Sequence, residues 1–193
     1  MILEGILTTL NDDGTPHIAP MGPAVDHEMR GLVLRPFLDS RSFANLKRSR
    51  EGVFHVTDDV EMIARAAVHR LESTPRTESA AAVKGVVLLD ACRWYALRVT
   101  RLEEVEARAQ VECEVVDSGR FRDFFGFNRA KHAVLEAAVL ATRIEILPAQ
   151  QILDDYQRLR VIVDKTAGEQ EQRAFAFLEQ FLARKRGQDS FPE

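Results

Sequence analysis

The chain is poor in the residues that mark several common protein classes. It has only two cysteines in 193 residues, Cys92 and Cys113. They are far apart, and no short Cys/His spacing surrounds them, so two buried, reduced thiols are expected. The five histidines, His17, His27, His55, His69 and His132, lack ligand spacing such as HxxxH, and no metal centre is expected. No G-x-S-x-G elbow, P-loop or G-x-G-x-x-G fingerprint occurs. No apolar run approaches the roughly 20 residues that cross a bilayer. Met1-Ile2-Leu3-Glu4 reads as structure and not as a signal peptide. The net charge of -4 argues against a general nucleic-acid partner. The expectation is a cytoplasmic protein with neither a membrane nor a nucleic acid as partner.

What is present is an ordinary core composition, 46% hydrophobic and 29% charged. The first half reads as strands. Glu4–Leu10 is β-rich and ends at Asn11-Asp12-Asp13-Gly14, a hairpin-turn signal. A second strand is expected from Thr15 to Val25. Its Pro16, Pro20 and Pro23 cannot donate ladder bonds, so it belongs at an edge or is interrupted. Gly31–Phe37 is a third strand, Gly52–Thr57 a fourth, and two longer runs lie near Val86–Thr100 and Val105–Val116. Asp58 and Asp59 cap a short helix through Ala67, and residues 69–83 read as a loop or a weakly ordered helix. His55, in an apolar strand, is expected to be a satisfied structural histidine.

From Asn128 the period becomes helical. Val134, Leu135, Ala138, Val139 and Thr142 form one stripe. Pro148 fits the first turn of the next helix, with Ile152, Leu153, Tyr156 and Leu159 on one face. After Gly168 a last helix carries Ala174, Phe177, Leu178, Phe181 and Leu182. Strands first and helices after indicate a mainly β fold with α, not alternating βαβ units. The expected organisation is a barrel with short inserted helices over residues 1–120, a helical region over 121–187 packed on it, and a flexible tail, 188–193.

Two basic helix starts stand out. Around Arg35 to Asn45, Ser40 or Ser42 is the natural N-cap, and Arg41 and Asn45 lie beside it, with Arg35 reaching in from the preceding strand. A helix start exposes unpaired N–H groups and a partial positive charge. With serine hydroxyls and arginines the set suits a phosphomonoester dianion. The same residues also fit a plain cap with solvated arginines. At the second start, Asn128 is the N-cap, and Arg129, Lys131 and His132 fill the first turn. Cations here oppose the helix dipole by roughly 0.3–1 kcal/mol each. A ligand phosphate, a substrate carboxylate or a nearby Asp/Glu would reverse that sign, and the basic side chains could equally swing out to water. The aromatic run Phe121–Phe127 could cover a flat ligand or a dimer seam, although core packing is the ordinary use of such rings.

Gly14–Val25, Gly31–Phe37, Ser42-Phe43-Ala44-Asn45-Leu46 and Gly52-Val53-Phe54-His55-Val56 together resemble the FMN-binding split-barrel proteins, which include the flavin reductases. In those reductases the corresponding segment has Ser/Thr, then Asn-Ile/Leu, then Gly-x-Phe-x-Val. Ser42, Asn45, Leu46, Gly52, Phe54 and Val56 match. Asn128–Ala137 with Ala141-Thr142-Arg143 is similar to a narrower, functionally uncharacterised archaeal and bacterial family of that superfamily. The resemblance implies an antiparallel Greek-key split β-barrel plus C-terminal helices, a homodimer, and FMN as cofactor. By analogy Ala19, Pro20, Met21 and Gly22 line the isoalloxazine, while Ser40, Arg41, Ser42, Asn45 and Arg35 hold ribityl and phosphate. Asn128, Arg129 and Lys131 are a second anion site, for FMN or for substrate. The implied activity is an FMN-dependent oxidoreductase acting on a small anionic, pterin-like substrate; the alternative is a non-catalytic flavin carrier or sensor. The helical tail and the proline-rich second strand depart from the flavin-reductase pattern.

Overall fold

A computed structural model describes residues 1–188. The tail expected at 188–193 lies, beyond its first residue, outside the described residues. The chain divides into two compact units, Met1–Asp58 with Ser73–Phe124, and Asp59–Glu72 with the chain from Phe125 onward. The short helix after Asp59 groups with the C-terminal helices, and not with the barrel region to which the sequence reading assigned it.

The first unit contains, in chain order, β1 (Gly5–Leu10), β2 (Pro16–Met21), β3 (Ala24–Val25), β4 (Gly31–Leu34), helix α1 (Arg41–Ser49), β5 (Glu51–Val56), β6 (Thr77–Ser79), β7 (Val86–Leu88), β8 (Arg93–Val105) and β9 (Arg108–Arg120). Seven of these strands form one antiparallel sheet in the order β2-β1-β5-β8-β9-β4-β3, and β6 pairs with β7 in a second. The prolines act as expected. β2 is an edge strand, and the single strand expected from Thr15 to Val25 breaks at Gly22-Pro23 into β2 and β3. Those two pieces stand at opposite ends of the sheet order. Residues just before β1 join the far edge: Ile2 bridges Ala24, and the Leu3 amide donates to the Pro23 carbonyl at 3.1 Å. The sheet therefore curls round on itself into a barrel.

Strand alternation fills the barrel. Leu7, Leu32, Leu34, Phe54, Leu97 and Val111 are buried together with Phe43 and Leu46 of α1. On the other face Val53, Val83, Val87 and Ala96 form a smaller cluster against Trp94. Both cysteines are buried and unpaired. His55 is fully buried between two backbone groups. Its Nδ1 lies 3.2 Å from the Ile6 carbonyl, and its Nε2 accepts from the Leu88 amide at 3.0 Å. That pattern defines a neutral ring with the proton on Nδ1, and burial lowers its pKa to about 4. The structural role expected of His55 is the observed one.

The second unit holds α2 (Val60–Ala67), α3 (Arg129–Ala141), α4 (Ala149–Thr166) and α5 (Glu169–Gln188). Asp59 caps α2 and Asn128 caps α3, as the sequence indicates. α3 buries an alanine face, Ala130, Ala133, Ala137, Ala138 and Ala141, with Val134. Val139, expected on the buried stripe, is 40% exposed. The small face lets neighbouring helices approach closely, and large side chains from the others fill the space: Ile152, Tyr156, Val163, Phe175, Leu178 and Leu182. Pro148 stands just before α4 as its N-cap residue and not within its first turn. The aromatic run does not follow the ordinary core rule. Phe121, Phe124, Phe125 and Phe127 are 43%, 48%, 88% and 97% exposed. Residues 121–128 form neither strand nor helix, so no period turns these rings inward. No described helix is long and apolar enough to cross a membrane.

Candidate functional site

Helix α1 starts at a cap that the sequence supplies. The Ser40 hydroxyl donates to the Phe37 carbonyl at 2.7 Å and accepts from the Phe43 amide at 3.2 Å. Of the two candidate caps, Ser40 is the one used; Ser42 lies inside the first turn and is buried. The amides of Arg41 and Ser42, in that first turn, have no carbonyl four residues back within the helix to receive them. No acidic residue occupies the first turn, so nothing in the helix itself offsets the positive end of its dipole.

A groove of about 460 Å³ lies between this helix and the β1–β2 turn. Its helix side is Ser40, Arg41, Ala44, Asn45 and Arg48, preceded by Asp39; its turn side is Asn11, Asp12 and Asp13. The turn is held by its own bonds. Gly14 adopts a φ of 80°, and the Asn11 amide donates to the Thr15 carbonyl at 2.9 Å. Asp13 accepts from both the hydroxyl and the amide of Thr15, at 2.6 and 2.9 Å. These bonds, with a smaller contribution from Arg41, lower the Asp13 pKa and hold it ionised.

Asn45 ties the two sides of the groove together. Its amide donates to Thr9 Oγ1 at 3.0 Å and Asn11 Oδ1 at 3.1 Å, and its own Oδ1 accepts from Arg48 at 3.1 Å. Arg48 also pairs with Asp12 at 2.8 Å and donates to the Leu10 carbonyl. Its guanidinium is therefore engaged by the protein. Arg41 is exposed at the rim, and it is the groove's other guanidinium.

The groove thus assembles three of the nine expected cofactor residues, Ser40, Arg41 and Asn45. Ser42 is buried just behind it. Arg35 is exposed and does not line it; its carbonyl accepts from Arg108 Nη1 at 2.9 Å, and Arg108 stacks over the Phe37 ring at 3.8 Å. Ala19, Pro20 and Met21 lie half-buried on edge strand β2, with Gly22 just beyond it, outside the groove lining. Sequence reasoning missed Asp12, Asp13, Asp39, Ala44 and Arg48. Arg41, Ala44, Asn45 and Arg48 do recur at helical spacing, and that signal was available. Nothing local signals that the β1–β2 turn lies opposite.

At the second basic helix start the countercharge comes from the protein. Lys131 Nζ lies 2.9 Å from Glu171 Oε1 and 3.3 Å from Gln170 Oε1. Asn128 accepts from the Lys131 amide at 3.1 Å and donates to the Thr166 carbonyl at 3.1 Å. Arg129 is exposed. Of the anions considered for this helix start, a neighbouring carboxylate is present. Among the described residues, no group of three or more His, Cys, Asp or Glu side chains is arranged to hold a metal.

The barrel, its edge strands and the groove at α1 define a split-barrel protein with an associated helical unit. Similar solved structures support that class. An FMN-bound DUF447-family protein from Methanosarcina mazei superposes with a TM-score of 0.80 at 23% identity, covering 93% of this chain and 94% of that one. A flavin reductase domain protein from Arthrobacter sp. FB24 gives 0.54 at 20% identity over 63% of this chain and 79% of its own. The flavin reductase of styrene monooxygenase from Pseudomonas putida S12 gives 0.52 at 12% identity over 63% and 82%. No curated protein sequence matches the chain. The chain belongs to the DUF447 family: residues 3–122 match its N-terminal domain, described as a protein of unknown function, and residues 128–180 match its second DUF447 segment.

Proposed function

We propose that this protein binds FMN with its phosphate at the start of α1 and acts as an oxidoreductase on a small anionic, pterin-like substrate. One observation carries the cofactor: a family member sharing this fold along nearly the whole chain is FMN-bound. The local chemistry of this chain fits such a group. Arg41 offers a guanidinium, and the Arg41 and Ser42 amides offer donors at the positive end of a helix. Ser42 adds a hydroxyl. Asn45 acts mainly as a brace, holding α1 against β1 so that these donors keep their places. Bound FMN supplies hydride and electron transfer of its own. The protein's part is to bind the phosphate, orient the ring and limit water.

A homodimer belongs to the same proposal. The exposure of Phe125 and Phe127, 88% and 97%, supports a surface that a second subunit covers. A cytoplasmic location is supported by two unpaired, buried thiols.

Oxidation of NADH or NADPH, followed with FMN-loaded protein and a pterin or flavin acceptor, tests the activity. Turnover above that of free FMN is expected. Rates equal to free FMN with every acceptor would remove the oxidoreductase part and leave the binding part standing.

A further inference from the structure

The charges around the groove carry information about which flavin nucleotide fits. Three carboxylates, Asp12, Asp13 and Asp39, line the groove together with two guanidiniums, Arg41 and Arg48. Arg48 is held by Asp12 at 2.8 Å and by Asn45 at 3.1 Å, so the Arg48 and Asp12 charges largely cancel in place. That leaves Arg41 against Asp13 and Asp39. Asp13 is fixed in position by its two bonds from Thr15.

We propose that Asp13 and Asp39 make this site selective for a flavin mononucleotide over a flavin dinucleotide. The inference rests on the reading of α1 as the flavin phosphate site. The monoester phosphate of a mononucleotide and the diphosphate of a dinucleotide each carry about two negative charges near neutral pH, so total charge does not separate them. Position does. A monoester concentrates its charge at one point, where one guanidinium and the first-turn amides can meet it. A diphosphate spreads its charge over two centres. Arg41 can meet only one of them, and the other must pass the two carboxylates, one of which is tied in place. Like charges placed together in this way discriminate by repulsion, not by any added attraction.

The experiment is a set of equilibrium titrations with FMN, FAD and riboflavin, read by flavin fluorescence. The proteins are the wild type and the double variant Asp13→Asn/Asp39→Asn, in which asparagine keeps an acceptor for Thr15. The wild type is expected to prefer FMN to FAD at least tenfold. The double variant should narrow that preference about tenfold, chiefly by binding FAD more tightly, with riboflavin affinity unchanged. Added salt should weaken FMN binding while narrowing the gap to FAD, because it screens both the attraction and the repulsion. FMN binding with the same FMN-to-FAD ratio in both proteins would overturn the selectivity and leave the flavin site intact. Absence of binding by any flavin to the wild type would overturn both.

Discussion

Lys131 Nζ lies 2.9 Å from Glu171 Oε1, and the two side chains retain only 15% and 7% of their exposure. Glu171 also accepts from the Gly168 amide at 2.8 Å, so one carboxylate caps α5 and neutralises the cation in the first turn of α3. Burial raises the Glu171 pKa, and the Lys131 and Gly168 contacts outweigh it, so the net shift is downward. The unfavourable placement of Lys131 against the helix dipole is thereby reversed within the protein.

Removing one partner of this pair should cost far more than removing both. Glu171→Ala removes the carboxylate 2.9 Å from a largely buried ammonium and should destabilise the protein by about 2 kcal/mol. The double variant Lys131→Met/Glu171→Leu should recover most of that loss. Urea unfolding of the wild type and the two variants checks it; a double variant that loses more stability than Glu171→Ala would show that the pair is not coupled in this way.

His55 should remain neutral until strongly acid pH. Its folded pKa is about 4 against an ordinary 6.5. The unfolded chain therefore takes up the proton first. The contribution to stability is fully present above about pH 6.5 and is lost as the pH falls toward 4, by about 3 kcal/mol. Histidine NMR shifts against pH give the midpoint directly; a His55 midpoint near 6.5 would contradict the buried, doubly bonded ring.

Gly119 gives the lone tryptophan its place. A Cβ at residue 119 would lie 2.5 Å from Trp94 Nε1. Gly119→Ala should displace the indole, lower stability by about 1–3 kcal/mol and shift Trp94 emission to the red. An unchanged emission spectrum would mean that the ring does not rest on this backbone.

Much of the architecture is legible in the sequence because local rules and the fold agree. Pro16, Pro20 and Pro23 forced an edge position and a break, and Asp59 and Asn128 marked helix starts that the structure keeps. Other features depended on distant partners. The role of Lys131 depends on Glu171, far along the chain, and α2 is joined to its helical neighbours only through tertiary packing. The groove is half legible. Its helix side follows from Ser40 and Arg41, but the carboxylates opposite come from a hairpin turn whose residues read only as turn formers. The phenylalanines after Arg120 stay exposed because their segment has no regular period to turn them inward, so ring content alone does not decide among core, ligand cover and interface.

Arg41→Ala and Ser42→Ala should weaken FMN binding by roughly tenfold to a hundredfold, the range of one or two charge-assisted hydrogen bonds. Riboflavin, which lacks the phosphate, should bind both variants as it binds the wild type. Equal loss for both ligands would place these residues in the protein's packing and not at the phosphate.

Titration of the purified wild-type protein with FMN, followed by the visible flavin spectrum, reads flavin binding without any assumption about turnover. A saturable change in the flavin band at one FMN per chain is expected, lost or strongly weakened in Arg41→Ala. A spectrum identical to free FMN throughout the titration would contradict it.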